Sequence, residues 1–357
     1  MTQPPESREE QEAGRGWLPP LRRAPDFESF WEKTRVELGR VAPNTSRHPL
    51  ESEDRALGFE RLDFNSLGEV RVSGYAIRWK DGVPRPLVAH SHGYEGELDP
   101  MWHWARAGVN VVGVEARGYG RSKDALPSPS PWGYVLTGIE SPEEHVLRGA
   151  VCDYMRAVEV GREILGASVS RTVLHGASFA GGLAVMAESI LQAADLLVVA
   201  VPSFGWAEGR RFFVREGSGK EINRYLEAHP GREEDLMLVL SYFDPMNFAH
   251  DIRCPTLVGL GVEDNVVPAP TVYAIVRPSR RPARGHGATR EPHGAPRGET
   301  LGTVRGVLAP PGARRCPRRL WKEGRAGTLG GSLCRSTTPT ASSCPTAPAS
   351  SPRSPGR

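Results

Sequence analysis

The chain has 357 residues, 39% of them hydrophobic, enough for one large α/β domain or two small ones. Its formal charge of +3 conceals two halves: residues 277–357 hold 16 basic and three acidic groups, residues 1–276 hold 29 and 39. The acidic body excludes a nucleic-acid binder, and the lack of any run of about 18 apolar residues excludes a membrane-spanning helix.

The start, "MTQPPESREEQEAGRG", is polar and lacks the basic-then-apolar order of a signal peptide, so a cytoplasmic location is expected. Residues 1–25 are expected to be disordered. "DFESFWEKTRVEL" reads as a helix with Phe27, Phe30, Trp31 and Val36 along one stripe. "GFERLDFNSLGEVRVSGYAIRW" alternates apolar and polar residues around "NSLGE", which predicts a β-hairpin. Short apolar runs follow: "PLVAHS", "VNVVGVE", "RTVLHG", "DLLVVAV" and "PTLVGLG". Their near-continuous hydrophobicity suits parallel strands covered on both faces. "DPMWHWARAG", "SPEEHVLRGAVCDYMRAVEVGREIL" and "GGLAVMAESILQA" lie between them as helical stretches. Residues 26–276 therefore read as a doubly wound α/β domain with a mostly parallel sheet. From Arg277 the apolar pattern stops. The Arg, Pro, Gly, Ser and Thr of residues 277–357 predict a disordered, low-complexity basic tail. A basic nucleic-acid arm would want interleaved aromatics, which the tail lacks. The five cysteines show no zinc spacing, and their odd number argues against a disulfide framework.

"HGASFAGG", from His175 to Gly182, joins a predicted strand to a predicted helix. Gly176-Ala177-Ser178-Phe179-Ala180 is close to the G-x-S-x-G elbow, where small neighbours let strand and helix pass closely around an exposed nucleophile. The alternative for Ser178 is a helix N-cap. "HSHGYEG", after another strand, offers a His-Gly turn of the kind that helps build an oxyanion hole. The amides of Tyr94 and Phe179 are then the two donors, with His92 as scaffold. Asp264 stands just past the strand "PTLVGLG" and is the candidate orienting acid, since Ser…Asp…His is the order for this fold; a turn Asp is the alternative. Asp244 is next in line. No metal or other cofactor is called for.

The body resembles the acetyl xylan esterase/cephalosporin-C deacetylase family of α/β-hydrolases. The matching pieces run from "DFESFW" through "HGYEG", "EARGYGRS", "GIESPEEHVLRGAVCDYMRAVE", "GASFAGG" and "VPSF" to "YFDPMNFAHDIRCPTLVGLGVEDNVVP". The resemblance implies an α/β-hydrolase fold, Ser178 as nucleophile, Asp264 as acid and Tyr94 near the acyl oxygen. It implies a metal-free serine esterase that removes acetyl groups from small-molecule or oligosaccharide esters, and a tendency to homo-oligomers. The chain departs from the family where Phe179-Ala180-Gly181 replaces Gln-Gly-Gly and where Tyr119 replaces Gln. Both changes bear on acyl and alcohol preference, so a general carboxylesterase or peptidase of the same fold is the alternative function.

The family's catalytic His and last helix would fall in the tail. His293 has the spacing, but "REPHGAPRG" does not match the expected loop. His175 reads as a buried strand residue and His250 as a surface one. A one-base shift of reading frame accounts for the tail. Glu291-Pro292-His293, written GAG CCA CAC, yields Ser-His one base later, and Leu301 to Arg305 yields Trp-Glu-Arg-Phe. On that reading the domain lacks its last helix and the product is inactive or non-catalytic. A native disordered extension is the alternative.

Overall fold

The computed structural model describes residues 19–214, 216–261 and 264–276. Eight strands form one sheet in the order β1-β2-β3-β5-β4-β6-β7-β8. Helix α1 (Phe27–Arg40) precedes β1 (Ser46–Leu50), β2 (Leu57–Asn65), β3 (Arg71–Trp79) and β4 (Arg85–Ser91). The short α2 (Trp102–Arg106) leads to β5 (Asn110–Val114), and the long α3 (Val146–Leu165) to β6 (Val169–Ala177). Helix α4 (Phe179–Leu191) and β7 (Leu196–Ala200) follow. Four helices then intervene: α5 (Ala207–Phe213), α6 (Gly217–Ala228), α7 (Glu233–Ser241) and α8 (Pro245–Phe248). β8 (Thr256–Gly259) and α9 (Ala269–Ile275) complete the described part.

The expected hairpin is present: β2 and β3 pair antiparallel from Leu57↔Trp79 to Asn65↔Arg71. β3 also pairs antiparallel with β5, and from β5 outward through β4, β6, β7 and β8 every pairing is parallel. Parallel strands need crossovers, which α3 and α4 supply. α3 also ties the central strands together, because the Tyr154 hydroxyl lies 2.8 Å from the Ala89 carbonyl and 2.9 Å from that of His175.

Three expectations need correction. Val36 is exposed; the buried stripe of α1 is Phe27, Phe30, Trp31, Thr34 and Leu38. Those positions follow i, i+3, i+4, i+7 and i+11, the period of one helix face, and Val36 falls off it. That face meets residues 242–248: Phe27 packs edge-on to Phe248 and Trp31 donates to the Tyr242 carbonyl. Residues 19–25 do not lie free of the body, since Ala24 is buried and Arg23 Nε donates to the Asn247 carbonyl at 2.8 Å. Residues 1–18 and the tail from 277 lie outside the described residues. Finally, the last parallel strand is not covered like the others: β5 is buried throughout, while Thr256, Leu257 and Gly259 of β8 are exposed.

Candidate active site

The site is built at the carboxyl ends of β4, β6, β7 and β8, where ligand groups gather in open α/β sheets. β6 ends at Ala177 and α4 begins at Phe179, so Ser178 alone makes the turn, with φ 53° and ψ −116°. Such backbone is uncommon for a residue with a Cβ and costs about 1–3 kcal/mol. Hydrogen bonds hold it in place: Ser178 N–H donates to the Ala200 carbonyl at 2.9 Å, and its own carbonyl accepts from Gly182 and Ser203, both at 3.0 Å. The small neighbours are needed for contact. A Cβ on Gly176 would stand 2.3 Å from the Ala180 carbonyl, and one on Gly182 would stand 2.7 Å from the Ser203 carbonyl oxygen.

Ser178 occupies the N-cap position of α4, yet its side chain caps nothing. Its half-buried hydroxyl meets the hydroxyl of Ser203 at 3.2 Å instead. Phe179 is the first helical residue, so its amide has no carbonyl partner inside the helix. Its ring is fully buried and centres an aromatic cluster, with His92, Tyr94, Tyr119, Tyr134 and Phe204 at centroid distances of 5.6–5.9 Å.

His92 and Tyr94 follow β4 on the neighbouring loop. His92 Nδ1 donates to the Gly93 carbonyl at 2.8 Å, and its Nε2 accepts from Ala116 N–H at 3.1 Å. With both nitrogens engaged and burial lowering its pKa, the ring is a scaffold element. The Tyr94 hydroxyl donates to Glu221 Oε2 of α6 at 2.5 Å and accepts from Val135 N–H at 3.2 Å. Burial raises the pKa of both Tyr94 and Glu221, the tyrosine's further because the carboxylate stands beside it. The adjoining loop is held by Arg117, which makes a two-pronged ion pair with the fully buried Asp153 of α3 at 2.8 and 3.0 Å.

Asp264 lies beyond β8, and one carboxylate oxygen accepts from the amides of Val266 and Val267, both at 2.8 Å. That is the pattern of an Asx turn. No hydrogen bond joins it to Ser178 among the described residues. Asp244 is ruled out as a free acid by its partners. It accepts from Trp206, Ala207 and Met246 N–H at 2.8–3.0 Å, stapling the starts of α5 and α8. Burial pushes its pKa up to about 6.

None of the described histidines is hydrogen-bonded to Ser178. His90 pairs with the Tyr75 hydroxyl, His145 donates to the Val135 carbonyl at 3.0 Å, and His250 meets Asp251 at the surface. His175 lies on β6 as expected but is half-buried, not buried, with its ring against Trp104. His293 lies outside the described residues.

Sequence reasoning did not single out Ser203, whose partner is 25 residues away in the chain. Nor did it see the strain around it. Val201, Phe204 and Trp206 all have positive φ, at 41°, 73° and 55°. Outliers of this density cluster at functional sites, and here they line the Ser178 turn.

Comparison with known proteins decides the family: the model for "Acetyl xylan esterase (AXE1)" matches residues 19–279. The chain belongs to the acetyl xylan esterase family. Among solved structures, the acetyl xylan esterase from Paenibacillus sp. R4 is similar, with a TM-score of 0.70 and 22% identity over 74% of this chain and 88% of that one. Acetyl xylan esterase 1 from Thermoanaerobacterium sp. JW/SL YS485 gives 0.68 and 21% over 74% and 87%. At that identity the two show a common fold. Family membership makes the chain a carboxylic ester hydrolase of the carbohydrate esterase type with an α/β fold. Among the described residues no helix is long and apolar enough to cross a membrane.

Proposed function

We propose that this acetyl xylan esterase family member is a serine esterase that removes acetyl groups from acetylated sugars, with Ser178 as nucleophile. The observation that carries the reading is the turn itself: Ser178 stands at φ 53° between strand and helix, with a hydroxyl not spent on capping. In the reaction, Ser178 Oγ attacks the acetyl carbonyl while its proton passes to an imidazole. The amides of Phe179 and Tyr94 receive the oxyanion; the imidazolium gives its proton to the sugar oxygen as the ester bond breaks and the sugar leaves, and water then attacks the acetyl-enzyme and releases acetate. Asp264 orients the imidazole; its second carboxylate oxygen has no hydrogen-bond partner among the described residues, which suits an Nδ1–H. His293 is the imidazole on spacing alone. On the frameshift reading the chain as written lacks its base, and its turnover falls by several orders of magnitude, leaving residual catalysis from the oxyanion donors.

The test compares the full chain, its Ser178→Ala and His293→Ala variants, and a chain with the frame restored by one base, on p-nitrophenyl acetate and an acetylated xylo-oligosaccharide. Ser178→Ala is expected to abolish hydrolysis in every background while circular dichroism stays unchanged. Hydrolysis at the parent rate by Ser178→Ala sinks the nucleophile assignment. Full activity as written, lost in His293→Ala, replaces the frameshift reading with His293 as base.

A further inference from the structure

A groove of about 420 Å³ lies on the face formed by residues 128–140 and α6, apart from the Ser178 turn. That volume is within the range of small-molecule sites. Its walls combine two kinds of group. Tyr225 in the last turn of α6 and His229, the residue that follows the helix, stack with ring centroids 4.4 Å apart, and the half-buried Trp132 stands edge-on to them at 5.8 and 5.2 Å. Around these aromatics are Ser130, Thr137 and Glu140.

The hydrogen bonds determine what the polar groups have left to offer. Ser130 Oγ accepts from Trp132 N–H at 3.2 Å, and Thr137 Oγ1 accepts from Ser130 N–H at 2.9 Å. Each hydroxyl therefore keeps its own proton to donate. His229 Nδ1 meets the Tyr225 carbonyl at 2.8 Å, so it carries the proton, and in the neutral ring Nε2 is an acceptor. The exposed Glu140 carboxylate is a second acceptor. Donors and acceptors thus alternate beside aromatic rings, and among the described residues no Lys or Arg lines the groove to select phosphate or another anion. This set matches a neutral polyhydroxylated ring, which presents C–H groups on one face and hydroxyls at its edge.

We infer that this groove is a carbohydrate subsite that holds a neutral sugar unit of the ester's alcohol side, away from the acetyl group undergoing cleavage. The purpose rests on the esterase reading above. Position supports it: Leu136 lines the groove, and its neighbour Val135 donates to the hydroxyl of Tyr94, which also donates to Glu221. Tyr225 lies four residues beyond Glu221 on α6, a rise of about 6 Å along the axis, and His229 follows the end of the helix. Gly133, at φ 131°, gives the loop the backbone it needs where Glu221 comes close; a Cβ there would overlap the carboxylate.

The probe is unacetylated xylotetraose, titrated into the full chain and followed by saturation-transfer NMR, so that binding is read without turnover. The full chain and Ser178→Ala are expected to bind it equally. Trp132→Ala should weaken binding by about tenfold, and Glu140→Ala, at an exposed position with no fold to disturb, by about threefold. Lack of saturation transfer to the full chain, or equal affinity in both groove variants, overturns the subsite. A sedimentation coefficient that falls to that of a smaller species in Trp132→Ala, with sugar affinity unchanged, makes the groove a contact between copies instead. Retained esterase activity in Ser178→Ala would defeat the catalytic assignment and leave this result standing.

Discussion

Ser178 is held in a backbone conformation that a side chain resists, and the resistance has a measurable sign. A glycine at φ 53° avoids most of the strain, though it adds chain entropy to the unfolded state. Ser178→Gly is therefore expected to be more stable than the parent by about 1 kcal/mol, which raises the melting temperature by about 2–4 °C in a domain of this size. Differential scanning calorimetry reads this directly; a lower melting temperature would mean that the hydroxyl contact with Ser203 outweighs the strain. The elbow was legible in the sequence because its cause is local: glycines and alanines crowd one serine between an aliphatic run and an Ala-rich run. Ser203 was not, because its contact is made across the gap between β6 and β7 and leaves no mark on its sequence neighbours. Asp244 looked as suitable an acid as Asp264 by residue type. Only the three amides around it show that it serves as a staple.

The segment between β7 and α5 acts as a unit, pressed between the Ser178 turn and α9. Gly205 marks the closest approach: a Cβ there would stand 2.6 Å from the Thr271 carbonyl oxygen and from Ile275. Backbone cannot yield as a side-chain tip does, so Gly205→Ala should push α9 away from the segment. A loss of about 1–3 kcal/mol is expected, visible as a lower urea midpoint with an unchanged slope. An unchanged midpoint would show that α9 is only loosely docked. Legibility followed hydrophobic period at this scale too. The hairpin, the parallel strands and helices α1, α3 and α4 carry clear patterns. β1 does not: "SRHPL" is an edge strand with four exposed positions and a proline, so it has no apolar alternation to read. Helices α5, α7 and α8 have only seven, nine and four residues, and tertiary packing fixes them. α8 is only four residues long and owes its start to Asp244.

Across the whole molecule, the buried imidazoles set how stability responds to acid. Burial lowers the pKa of His90 and of His145 to about 3 in the fold, against 6.5 for a free imidazole. As pH falls through 6.5 the unfolded chain binds protons that the folded chain refuses, so stability present above that pH is lost. Asp244, raised to about 6, works the other way, because the folded chain takes up its proton first as pH falls. From these three groups the loss between pH 7.5 and 5.5 is expected to be about 2 kcal/mol. Melting followed by circular dichroism should shift down by roughly 4–8 °C; a flat or rising melting temperature contradicts the assignment of neutral, buried rings. The outer strand of the sheet has a different significance, for handling rather than for chemistry. Leu257 of β8 is 41% exposed, Val266 and Val276 nearby are equally open, and β8 is the terminal strand among the described residues. An outer parallel strand with apolar side chains in water is a template for another chain. Association along β8 would then shorten the shelf life of a purified sample the more concentrated the protein is kept.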